Sequence, residues 1–135
     1  MTEPLLQRYR DTREQSLVFC EPLAVEDYGL QAEAFTSPPK WHLAHTTWFF
    51  ETFLLKPFQE GYHSPEPRYE VLFNSYYNGV GEQFPRPQRG LLSRPSLDEV
   101  LASLPDGISA EIAYNRSSLV DATIDTVRTN LVEGA

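Results

Sequence analysis

The segment Pro38–Lys56, PPKWHLAHTTWFFETFLLK, constrains the fold more than any other. Positions 41, 45, 48, 52 and 55 fall on one side of an α-helix and hold Trp41, His45, Trp48, Thr52 and Leu55. Ser37 is placed to cap this helix, and Pro38 and Pro39 sit in its first turn, where a missing N–H costs little. Pro57 is expected to stop it. Burying each large apolar side chain is worth roughly 1.5–3 kcal/mol. A stripe this aromatic therefore needs partners on several sides, as in a helical bundle.

The same logic places other elements around it. A helix is expected from about Pro4 to Cys20, with Leu6, Tyr9, Arg13, Leu17 and Cys20 on one face and Arg13 as a polar break. Pro22 ends it, and a short helical piece follows around Val25–Tyr28. Residues 57–68 hold three prolines and Gly61 and read as a loop. A third helix is expected over about Tyr69–Asn78, before Gly79 and Gly81. The stretch GEQFPRPQRGLLSRP reads as irregular. Ser96 and Glu99 form a capping box for a helix SLDEVLASL, and Ser118 with Asp121 is placed to cap a last helix with Val120, Ile124, Val127 and Leu131 on one face. No strand pattern competes, so the fold class is all-α.

A chain of 135 residues makes one domain of ordinary size. Eleven Lys and Arg face nineteen Asp and Glu, a net charge of −8, which argues against nucleic-acid partners that need a basic footprint. No apolar run approaches the roughly 18 residues of a membrane span. The single cysteine, Cys20, suits a reducing compartment, and the N-terminus lacks a signal-peptide apolar core, so a cytoplasmic protein is expected. Sixteen of the seventeen aromatics and ten of the eleven prolines lie before residue 102. That change divides the chain into a body, 1–101, and a bland tail, 102–135.

His45 stands in the middle of the stripe, where it reads either as a hydrogen-bonded core histidine or as a metal ligand facing neighbouring helices. His42 lies one step around the helix, and His63 sits in the proline-rich loop without a motif. Arg86 and Arg89 lie in a proline-stiffened segment, suited to gripping a carboxylate or to simple pairing with the chain's own acids. Phe73, Tyr76 and Tyr77 read as core aromatics, and Cys20 as a small buried residue. No Ser–His–Asp or Cys–His arrangement and no phosphate loop is present.

The WHLAH helix combined with LFNSYYNGVGEQFPRPQRGLLSRPSLDEV resembles the N-terminal DinB-like domain of the sulfoxide synthases of ergothioneine biosynthesis, over about residues 4–101. The resemblance implies a DinB-like helical bundle and an iron-dependent oxidoreductase using non-haem Fe(II). Such enzymes use O2 to join hercynine to a thiol, gamma-glutamylcysteine or cysteine, giving a sulfoxide. It implies that His45 is the iron ligand from this helix, that His42 is structural or supports it, and that Arg86 and Arg89 bind the thiol substrate. It also implies a C-terminal domain of the formylglycine-generating-enzyme type and two further iron ligands in an HxxxH helix. No histidine follows residue 63, and neither that helix nor that domain is present. The expectation is therefore an early-terminated or frame-shifted N-terminal portion of such an enzyme, inactive by itself. Two alternatives stand beside it. One is a non-catalytic helical module that binds a partner or complements a separate catalytic domain. The other is a stand-alone metal protein using His42, His45 and His63.

Overall fold

A computed structural model describes residues 2–103. The expected last helix with its Ser118 and Asp121 cap lies outside the described residues. Helix α1 spans Thr2–Cys20 and α2 spans Pro39–Phe50, with a 3-10 turn at Val25–Gly29 between them. A π turn at Glu51–Leu55 leads into the short α3, Lys56–Phe58. Helix α4 is one turn, Tyr69–Leu72. A 3-10 helix, Arg86–Leu91, precedes α5, Leu97–Ser103. Among the described residues there is no strand, and no helix is long and apolar enough to cross a membrane.

Helix α2 is the hub. It touches the Val25–Gly29 turn, α4 and α5. Trp41, Leu43, Ala44, Trp48, Tyr69, Phe73 and Val100 form the buried cluster. The expected stripe is thus buried, with Trp48 only 1% exposed. Around it the rings of Phe49, Phe53 and Tyr77 pack on one another at centroid distances of 4.8–6.1 Å. Helix α1 leans on α2 through Tyr9, edge-on to Phe50 at 5.1 Å, and through Arg13, which donates to the Thr46 hydroxyl. Arg13 is therefore a contact to α2 rather than a break in the face. The Tyr28 hydroxyl donates to the Cys20 carbonyl and ties the first 3-10 turn to the end of α1. Cys20 is only half-buried, and burial pushes its thiol up from the ordinary value.

Four expectations need correction. Ser37 does not cap α2, because its hydroxyl accepts a charge-assisted bond from Arg89 and the capping position falls on Pro38. The helix does not stop before Pro57. It widens into a π turn one turn earlier, a change of register that lets the chain pass a residue without an N–H. The buried Glu51 of that turn accepts from Tyr62 at 2.5 Å and from Ser64 at 3.2 Å, pinning the following loop. Helix α4 ends at Leu72, not Asn78, for reasons given below. The arginine segment, expected to be irregular, forms a 3-10 helix with Pro87 in its first turn. The Ser96–Glu99 capping box is present as expected, with Ser96 N–H donating to Glu99 at 2.7 Å and Glu99 N–H to Ser96 Oγ at 3.2 Å.

Candidate functional site

The site grows from the carbonyls that follow α4. Trp41 Nε1 donates to Leu72 at 2.9 Å, His45 Nδ1 to Phe73 at 2.6 Å, and Arg89 Nη2 to Asn74 at 3.4 Å. Three successive carbonyls are thus taken by side chains from α2 and the arginine segment. The Val71 carbonyl likewise accepts the Phe84 N–H at 2.9 Å, so where α4 ends four successive carbonyls bond to groups outside the helix. At Tyr76 the backbone turns left-handed, with φ +59°. Asn74, fully buried, shares its amide among the carbonyls of Tyr77, Gly81 and Glu82 at 3.1–3.3 Å and holds the turn closed.

The arginine segment is clamped from the other side. Gln31 donates to the Arg86 carbonyl at 2.8 Å and accepts the Gly90 N–H at 2.7 Å. A Cβ at position 90 would lie 2.8 Å from Gln31 Cβ, so only glycine permits this approach. Arg86 donates to the Phe35 carbonyl at 3.0 Å and lies over the Tyr76 ring at 4.5 Å.

Arg89 is the unusual residue. It is 2% exposed, its guanidinium lies 3.6 Å over the Trp41 ring, and Nη1 donates to Ser37 Oγ at 2.9 Å. Its Nε has no partner. Among the described residues the ion pairs are Lys56–Glu70 and Arg68–Glu66, and no acid pairs with Arg86 or Arg89. Burial and the neighbouring Arg86 charge pull its pKa down to about 10, so it remains charged at neutral pH. A buried cation without an anion is costly unless a ligand supplies the charge.

His45 stacks with Trp41 at 4.9 Å and with Trp48 at 5.3 Å. A carbonyl can only accept, so Nδ1 carries the proton and Nε2 keeps its lone pair. This is both a satisfied core histidine and the tautomer that a metal ligand requires. His42 is exposed, edge-on to Trp41 at 5.6 Å. His63 is exposed. Among the described residues, which include all three histidines of the chain, no three His, Cys, Asp or Glu side chains gather as a metal site. The trio His42, His45 and His63 is therefore not brought together. His45 is suited to serve as one ligand, but the described residues do not complete an iron site.

Both imidazoles sit below the ordinary value, His45 through burial opposed by its bond to Phe73, and His42 through the partial desolvation of its exposed ring against Trp41 and the charges of Arg89 and Arg86. The unfolded chain then takes up protons first as pH falls below about 6.5. Stability is expected to be full above that pH and to decline beneath it. Urea midpoints at pH 7.5 and 5.5 measure the loss, and His45→Gln should shrink it.

Asn74, Gln31, Ser37 and Tyr76 shape the site, and sequence reasoning did not assign them. Tyr76 is 59% exposed rather than part of the core. The signal for the turn was Asn74, Ser75, Asn78 and Gly79, turn-forming residues that an apparent helical run concealed.

The helical architecture built around α2 agrees with comparison to known proteins. The chain belongs to the DinB superfamily, which it matches over residues 8–131. That match runs past the compositional change near residue 102. A stretch of 39 residues is 49% identical to protein HelA of Legionella pneumophila. It makes up 29% of this chain and only 4% of HelA, so the likeness is local.

Proposed function

We propose that this chain is the N-terminal, thiol-substrate-binding part of a cytoplasmic sulfoxide synthase of ergothioneine biosynthesis. The observation that carries the reading is Arg89, a buried guanidinium with no acid partner among the described residues, beside a second arginine. Such a pair suits a small carboxylate, since charge-assisted and bidentate bonds are the strong ones. The carboxylate of gamma-glutamylcysteine or cysteine would supply the missing negative charge. The WHLAH and RPQR motifs support the finer assignment, with Arg86 and Arg89 as the substrate grip and His42 beside them.

In this reading His45, whose Nε2 keeps its lone pair, would be one ligand of a non-haem Fe(II). The remaining ligands, and the domain that binds hercynine, come from outside the described residues.

A second reading, a non-catalytic module that complements a separate catalytic domain, draws support from Leu30, Phe35 and Leu91. These apolar residues are exposed on the two segments that Gln31 and Arg86 tie together.

Calorimetric titration of the native chain with gamma-glutamylcysteine tests the binding reading. Saturable one-to-one binding is expected, with N-acetylcysteamine, a thiol lacking a carboxylate, failing to bind. Equal binding of the two would show that the arginines do not read a carboxylate.

A further inference from the structure

We propose that Tyr76 is a further ligand-contacting residue, whose hydroxyl donates to a carboxylate held by Arg86 and Arg89. The inference rests on the carboxylate reading of the arginine pair and adds a third donor to it.

The backbone makes the first argument. A tyrosine at φ +59° occupies a region that side chains bearing a Cβ avoid, and aromatic residues are found there rarely. Such strain persists only where the surroundings impose it, and it gathers at binding and catalytic sites. Here the surroundings are identifiable. Gln83 accepts the Tyr76 N–H and donates to Asn78, while Asn74 pins the loop from beneath.

Exposure makes the second. Tyr76 is 59% exposed although it lies in the tightest turn of the site, so packing does not explain its conformation. Its phenol has no hydrogen bond within the chain among those described, whereas Tyr28 and Tyr62 each donate to an oxygen.

Position makes the third. The Arg86 guanidinium lies 4.5 Å over the ring, and Arg86 shares its 3-10 helix with Arg89. The ring thus lies against one of two arginines that no acid among the described residues pairs with. A carboxylate entering between the guanidinium groups brings acceptor lone pairs that two arginines do not exhaust. The phenol supplies a neutral donor without adding repulsion. It also sets a size limit, since the ring covers the approach to Arg86.

The experiment compares the native chain with Tyr76→Phe and Tyr76→Asn by calorimetric titration with gamma-glutamylcysteine, alongside thermal melts. Tyr76→Phe, which removes only the hydroxyl, is expected to weaken binding about tenfold at an unchanged melting temperature. Asparagine tolerates left-handed backbone, so Tyr76→Asn should melt at or above the native temperature while binding as weakly or more so. Native-strength binding by both variants would overturn the role of Tyr76 and leave the arginine reading intact. A melting temperature lowered in both variants, in step with binding, would make Tyr76 a packing residue and also overturn it. Failure of the native chain to bind gamma-glutamylcysteine would overturn both readings together.

Discussion

Asn74→Ala is expected to destabilise the chain by about 3 kcal/mol, since it removes a fully buried amide that ties three loop carbonyls together. The native amide is fully buried and shared among the carbonyls of Tyr77, Gly81 and Glu82. Alanine supplies no donor and opens a small void beside them. The effect should reach the site as well, because the backbone of residue 74 holds Arg89 and that of residue 73 holds His45. Urea unfolding measures the change as a lower midpoint at an unchanged slope. A loss under about 1 kcal/mol would mean that water satisfies these carbonyls and that the loop does not depend on the side chain.

Arg89→Met is expected to abolish carboxylate binding, by about 100-fold or more, without unfolding the protein. Burial and repulsion from Arg86 together lower the pKa of Arg89 to about 10, a penalty on the order of 3 kcal/mol for keeping the charge in the folded chain. The unfolded chain holds this proton more tightly, so the folded chain bears the full penalty below pH about 10. Methionine removes that penalty and fills similar space. It forfeits the cation–π contact with Trp41, worth about 2 kcal/mol when desolvated. The balance is a stability equal to the native chain or about 1 kcal/mol above it. Calorimetric melts and gamma-glutamylcysteine titration read the two effects separately. A large drop in melting temperature would show that the bonds to Ser37 and Asn74 outweigh the desolvation of the charge. Gains in stability that remove binding are the mark of a residue retained for its ligand.

The two variants separate the layers of this molecule. Asn74 serves the turn, whereas Arg89, in the proposed reading, serves a ligand at the expense of the fold. Neither role is visible in local pattern, because each depends on groups distant in the chain. Ser37 reads as an ordinary helix cap until the guanidinium of a residue fifty-two positions later takes its hydroxyl.

What could be read without coordinates was the periodic part. The aromatic spacing of α2 announced a buried helix, and the Ser96–Glu99 pair announced a helix start, because both rest on neighbours three or four residues away. His45 was legible as inward-facing for the same reason, and Arg86 and Arg89 as a candidate pair from their proline-bounded setting. The tertiary structure decided the rest. It cut α4 short at Leu72 by taking the next carbonyls, turned Tyr76 into left-handed backbone, and buried Arg89 against Trp41 away from any described acid. Helical periodicity reports which face of a segment is apolar. Which carbonyl a distant side chain will claim is settled only when the segments meet.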